Sequence, residues 1–367
     1  MRILVLGGYG NFGARICRAL AGNADIELLV GGRDAAKAAA FAANLPRASG
    51  LALDLTLPTL ADTLRAQRID LLIHTAGPFQ GQDYAVARAC AAAQAHYIDL
   101  ADGRRFVCDF GAVLNAPFQV AQRVAISGAS TVPALSSAVI QALCAGWREI
   151  DSIDICIAPA QTAPRGVATL QAVLSYCGLA IPVLMQGRWQ SAIGWGDPRR
   201  VEFLRLRPRH GAVCDIPDLE LFPAHYQVRT RVEFRAAVEV VVTQYVFAAL
   251  AWLRRLGLLR NPASLAGVLN WGAHFFDGFG SALGGMVVRV AGTDARGQPV
   301  RRAWHIAADN DHGPEIPCMA AILLARRLAA GEAMPAGARA CVGLHQLHDF
   351  DSEFAKWGMQ TDLVDEG

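Results

Sequence analysis

The sequence is short of charge: 18% of its 367 residues are charged, and they balance to a formal +2. The arginines are scattered, without a basic arm or a Lys/Arg run, which argues against a nucleic-acid partner. No C-x-x-C or Cys/His ligand pair occurs. The nine cysteines are widely spaced and odd in number, so neither a zinc site nor a disulfide framework is supported, and no metal is expected. No Walker lysine, Tyr-x-x-x-Lys pair or Ser-His-Asp order stands at a useful place. Internal repeats and low-complexity linkers are also missing.

One long apolar run is present. Ala236–Leu253 ends in Arg254-Arg255 and approaches the ~20 residues of a spanning helix. Glu239, Thr243 and Gln244 interrupt it, and there is no second run of this kind. It is expected as a buried or interface helix, with peripheral membrane contact left open and no span. The apolar run at the N-terminus is too short for a signal peptide, so a cytoplasmic, reducing setting is expected.

Hydrophobic residues make up 53% of the chain, which suits a compact enzyme with buried sheets, and the length predicts two domains. The most informative stretch comes first. Met1–Leu6 is a short apolar strand leading into Gly7-Gly8-Tyr9-Gly10-Asn11-Phe12-Gly13, and a helical stretch follows at once. Gly8, Gly10 and Gly13 match the G-x-G-x-x-G dinucleotide loop. Strand before and helix after supply the context that makes the match meaningful, and the helix N-terminus offers N–H groups to a pyrophosphate.

Strands and helices alternate after that. Strands are expected at Ile26–Val30, Gly50–Asp54, Ile69–His74, His96–Leu100 and Val124–Ser127, with helices between them. The pattern predicts an α/β fold with a Rossmann-type, doubly wound parallel sheet. Near residue 150 it changes. Val228–Ala236 alternates with period two, placing Val228, Thr230, Val232 and Phe234 on one face. Met286–Ala291 and Arg301–Ala307 flank a hairpin at Asp294–Gly297. An inserted α+β domain with an open, mixed sheet is predicted, followed by a helix over Pro314–Gly331. The expected division is 1–130, 131–305 and 306–367, the last segment returning to the first domain.

The end of the second strand selects the cofactor. It reads Val30-Gly31-Gly32-Arg33-Asp34. The glycines leave room for a 2′-phosphate and Arg33 supplies a guanidinium to hold it, with Lys37 one turn on. Asp34 is expected to cap the next helix rather than bind a ribose. NADP is favoured over NAD. Asp54 is placed to meet the adenine side. Ala76-Gly77-Pro78 should border the nicotinamide, with Phe79, Gln80 and Ser127 toward the substrate. Asp99, Asp102 and His312 are the candidate proton-handling groups, His312 because an imidazole titrates near neutrality.

These motifs, together with His96-Tyr97-Ile98-Asp99-Leu100 and His312–Pro317, resemble the saccharopine dehydrogenase-like oxidoreductases, in the bacterial branch without an assigned substrate. The resemblance implies a Rossmann domain, an inserted mixed-sheet domain, a nicotinamide cofactor and a homodimer formed through the second domain. It also implies carboxylate-holding arginines, for which Arg104, Arg105, Arg165, Arg229 and Arg231 are the candidates. The expected reaction is hydride transfer to or from an imine, carbonyl or activated double bond. Trp189, Trp195, Trp252, Trp271, Phe275, Phe276 and Phe279 could line an apolar pocket, which keeps an enoyl reductase acting on a lipid-like substrate open. A non-catalytic NADP-sensing protein is the third reading.

Overall fold

A computed structural model of the chain describes all residues except 56–58, 165 and 367. The described residues divide into two compact units, one of residues 1–134 with 315–344, the other of residues 135–314 with 345–367.

The first unit holds a seven-stranded sheet. Its strands are β1 (Arg2–Leu6), β2 (Glu27–Gly32), β3 (Ala48–Ala52), β4 (Leu71–His74), β5 (His96–Asp99), β6 (Val124–Ser127) and a late strand, Gly337–Ala340. The order runs from Gly337–Ala340 through β6, β5, β4, β1 and β2 to β3, and every pairing is parallel. Helices α1 (Asn11–Leu20), α2 (Ala35–Ala42), α3 (Leu60–Ala66), α4 (Ala85–Ala92) and α5 (Arg104–Val120) make the crossovers. Ile3–Leu6 of β1 and all of β4 and β6 are buried, as a sheet covered on both faces requires. The strand order reverses between β1 and β4, where such sheets open a crevice at the carboxyl ends of their strands.

Helix Ile316–Ala329 also belongs to this unit and packs on α1. Arg15 pairs with Glu315 at 2.9 Å, and Arg326 donates to the Ala19 carbonyl at 3.1 Å. The return is shorter than the expected 306–367. Residues 345–367 lie in the other unit, because Gln360–Asp365 pairs antiparallel with Pro299–Ala308.

The second unit is built on a nine-stranded mixed sheet. Arg231–Val238 lies parallel to Glu149–Ala158, and the other pairings are antiparallel. The hairpin of Gly284–Thr293 and Pro299–Ala308 forms as expected, closed by Asp294 and Gly297. Two expectations change. Thr230 is exposed while Val228, Val232 and Phe234 are buried, since the strand begins only at Arg231. The apolar run is no single helix either: Ala236–Val238 completes that strand, and the helix is Val241–Arg255.

Candidate dinucleotide and active site

The glycine loop is tied to the end of β2. Gly7 and Gly8 N–H donate to the Gly31 carbonyl at 2.9 and 3.0 Å, and Gly10 N–H donates to Gly7 at 2.8 Å. Gly13 must be glycine, because a Cβ there would fall 2.2 Å from the Gly7 carbonyl oxygen. Gly10 is different. It is exposed, and an added Cβ would meet only the Gly7 carbonyl, at 3.0 Å. Gly10 also caps α1 without a side-chain acceptor, and no acidic residue sits in the first turn. The positive end of such a helix favours an anion. Asn11 is held by Arg15, whose guanidinium donates to its side-chain oxygen at 2.6 Å. Phe12 is half-buried, its carbonyl 3.6 Å from the Cys318 thiol.

At the end of β2 the space beside Gly32 is already used. The Tyr9 ring lies there, 2.2 Å from where a Cβ would stand. Its hydroxyl accepts from Asp34 N–H at 3.1 Å. The room predicted for a phosphate therefore belongs to Tyr9. Gly31 faces Leu4 of β1, and its Cβ would stand 2.8 Å from that side chain, so it borders the core and not a ribose. Asp34 caps α2 by accepting from Lys37 N–H at 3.0 Å, and that bond holds its carboxyl below the usual range. Its side chain also pairs with Lys37 Nζ at 3.5 Å. Arg33 projects into solvent. Asp54 is half-buried, just past β3, and already engaged within the fold.

The end of β4 is fixed by Thr75, whose hydroxyl donates to the Leu6 carbonyl at 2.8 Å. Ala76, Gly77 and Pro78 follow, half-buried, with a cis peptide before Pro78. Gln82 clamps this turn by donating to the Ala76 and Pro78 carbonyls at 2.9 and 2.8 Å. Phe79 is buried, in edge contact with His74 at 5.0 Å and packed on Phe106 at 5.3 Å. It is core beneath the loop, not the substrate contact expected of it. His74 Nδ1 lies 3.1 Å from the Tyr97 hydroxyl, and burial pulls the imidazole pKa down to about 4. His74 is a neutral core residue.

Asp99 and Ser127 are also interior. Asp99 Oδ1 accepts from Ala101 N–H at 2.9 Å, from Ser127 Oγ at 3.0 Å and from Gly128 N–H at 2.8 Å. These bonds lock the ends of β5 and β6 together. Burial pushes the carboxyl up to about 6 against the pull of its donors. Both residues are fully buried, so they shape the crevice rather than open onto it. Asp102 and Gln80 remain half-buried, and Gln80 Nε2 donates to Asp102 Oδ1 at 3.0 Å. Burial raises the Asp102 carboxyl too. Two pairs of the expected groups are brought together in the first unit, Asp99 with Ser127 and Asp102 with Gln80, and of these the second is the one left half-buried. Thr75 and Gln82 are not singled out by the sequence. Thr75 has a readable signal, directly after a buried strand, whereas Gln82 has none.

Arg104, buried, and Arg105, exposed, open α5 in the first unit and both are engaged within the fold, and the other candidates lie in the second unit. His312 is half-buried, its Nδ1 3.0 Å from the Trp357 carbonyl and its ring 5.0 Å from the indole. Arg165 is outside the described residues. Arg229 pairs with Glu149 and Asp151, and Arg231 with Asp154, so neither is a free carboxylate holder. The aromatic residues do not line one pocket. Trp195 is buried, stacked on Phe247 at 4.3 Å, while Trp189, Trp252, Trp271, Phe275 and Phe279 face solvent.

Residues 3–142 match the family described as the saccharopine dehydrogenase NADP binding domain. The fold is similar to saccharopine dehydrogenase (L-Glu forming) from Saccharomyces cerevisiae, with TM-score 0.69 and 11% identity over 100% of both chains. It is also similar to a homospermidine synthase from Legionella pneumophila solved with NAD. There the TM-score is 0.61 and the identity 11%, over 99% of this chain and 91% of that one. No curated protein sequence matches the chain.

Proposed function

We propose that this chain is a saccharopine dehydrogenase-like oxidoreductase that uses NADP and transfers hydride to or from an imine, carbonyl or activated double bond of a small molecule, a reading supported by the match of residues 3–142 and by the fold. One observation carries the cofactor reading. The N-terminus of α1, with no side-chain cap at exposed Gly10 and no acid in its first turn, and the solvent-facing Arg33 lie on adjoining strand ends. Their chemistry fits a pyrophosphate and a 2′-phosphate.

When bound, the nicotinamide supplies the hydride. The protein holds, orients and manages a proton. Gly8 to Gly13 and the α1 N–H groups would hold the pyrophosphate, and Arg33 the 2′-phosphate. Ala76–Pro78, fixed by Thr75 and Gln82, would border the nicotinamide. Asp102 is the best-supported proton donor, because burial keeps its carboxyl protonated to higher pH and Gln80 fixes its orientation. Asp99 is a positioning residue that sets the crevice wall.

The test is stereospecific hydride exchange from NADPH labelled at C4, run with a panel of imines, ketones and enones. Exchange that Asp102→Asn slows by about 10²-fold or more, with NADPH binding unchanged, is expected. Tight NADPH binding without exchange on any class would instead favour a sensor.

A further inference from the structure

Among the described residues, eighteen large hydrophobic side chains are strongly exposed, and eleven of them fall within residues 241–279. Helix Val241–Arg255 shows why. Its inner face buries Gln244, Phe247, Leu250 and Ala251. Its outer face is apolar as well, carrying Val241, Val242, Tyr245 and Trp252, with Leu256 just beyond the last turn. A surface helix ordinarily turns charge outward. This one does not: Tyr245 is 70% exposed and Trp252 58%. The pattern continues at Trp271 and Phe275, which touch edge-on at 5.0 Å and are both about two-thirds exposed.

Charge says what would cover these residues. From Val240 to Phe276 there is no aspartate or glutamate, while Arg254, Arg255 and Arg260 are present. Arg254 is used internally, donating to the Ser175 and Cys177 carbonyls at 2.7 and 3.0 Å. Arg255 and Arg260 are exposed. A second copy meeting this surface about a two-fold axis would bring arginine toward arginine, and the one acid within 241–279, Asp277, is half-buried and already accepts from Gln161 Nε2 at 3.2 Å. Anionic lipid headgroups supply the missing charge, and tryptophan and tyrosine are at home at the headgroup boundary. Crossing the bilayer is a different matter. A 15-residue helix rises ~22 Å against a hydrocarbon core of ~30 Å. No helix among the described residues is long and apolar enough to span.

We propose that residues 241–279 form a monotopic interface that seats this protein on an anionic lipid bilayer, with Trp252, Trp271 and Phe275 inserted and Arg255 and Arg260 on headgroups. The proposal does not depend on the cofactor reading.

The test is flotation of the full chain with vesicles of phosphatidylglycerol and phosphatidylcholine, and with phosphatidylcholine alone. Binding at least tenfold stronger to the anionic vesicles is expected, falling as salt is raised to about 0.5 M. Arg255→Glu with Arg260→Glu should cut it tenfold or more. Trp252→Ser with Trp271→Ser and Phe275→Ser should remove it, with the circular dichroism unchanged. Should that triple variant fail to fold, Trp252→Ser alone and the arginine pair carry the test, with a blue shift of tryptophan emission on vesicle addition as the second readout. Absence of binding to anionic vesicles, or binding indifferent to these substitutions, overturns the proposal. So does a wild type that ignores vesicles but sediments as a dimer that the same substitutions dissociate.

Discussion

The Tyr9 ring occupies the place of a side chain on Gly32: a Cβ there would come within 2.2 Å of the ring, whose hydroxyl accepts from Asp34 N–H at 3.1 Å. The glycine loop after β1 and the end of β2 are thereby a single packed feature. Gly32→Ala should force Tyr9 out of place and destabilise the protein by about 1–3 kcal/mol. Tyr9→Ala should remove most of that penalty when combined with it. Thermal unfolding of the two single variants and the double variant tests this. Additive losses would mean the contact is not what constrains position 32.

Arg33 should decide cofactor choice. A charge-assisted contact contributes about 1.5–3 kcal/mol, which is roughly ten- to a hundredfold in affinity. Solvent exposure of Arg33 places the expected value at the lower end. Arg33→Ala should weaken NADPH binding by about tenfold and leave NADH nearly unchanged. Calorimetric titration of both cofactors measures it, and equal losses would remove Arg33 from the site. Gly31→Asp is a poor companion test, since its side chain would enter the core against Leu4.

Two glycines of the loop should fail differently. Gly10→Val adds bulk on an exposed surface where only one backbone oxygen is near, so the fold should survive while NADPH affinity collapses. Gly13→Ala puts a methyl 2.2 Å from a backbone oxygen, so stability should fall by at least about 1 kcal/mol. Melting temperatures and NADPH titrations separate the two. A Gly10→Val protein that binds NADPH normally would contradict the assignment of the loop.

Asp218 gives a pH prediction for the second unit. Its carboxyl is fully buried, accepts from Ser136 Oγ at 2.6 Å and is pushed up to about 7 by that burial. The folded protein therefore keeps a proton that the unfolded chain gives up near pH 4. Stability from this group is present below about pH 4 and lost as pH rises toward 7, on the order of 2–4 kcal/mol in all. Asp218→Asn retains an acceptor for Ser136 and never takes up charge. It should melt above wild type at about pH 8, with the gap closing toward about pH 4. Parallel melting curves for the two proteins would refute this.

Much of the first unit was legible in the sequence because its signals are local. A buried parallel strand is a continuous apolar run, and the glycine loop and the Asp34 cap act over a few residues. The second unit was read less well where partners are distant. Arg229 and Arg231 resembled free carboxylate holders because Glu149, Asp151 and Asp154, which neutralise them, are about eighty residues earlier.

By itself, the sequence determined a Rossmann-type unit with a G-x-G-x-x-G loop after β1 and a basic residue after β2, since periodicity and glycine spacing are properties of neighbouring residues. The tertiary structure alone decided which polar groups of that unit stay partly exposed. Asp99 and Ser127 end adjacent strands just as Asp102 and Gln80 flank them, yet the first two are consumed in tying β5 to β6 and the second two form a half-buried pair. It also decided that the tail divides between the two units and that the helix at Val241–Arg255 is apolar on both faces with one left uncovered. The reason is the same in each case. Burial depends on what packs from elsewhere in the chain, and that information is absent from the pattern of any single segment.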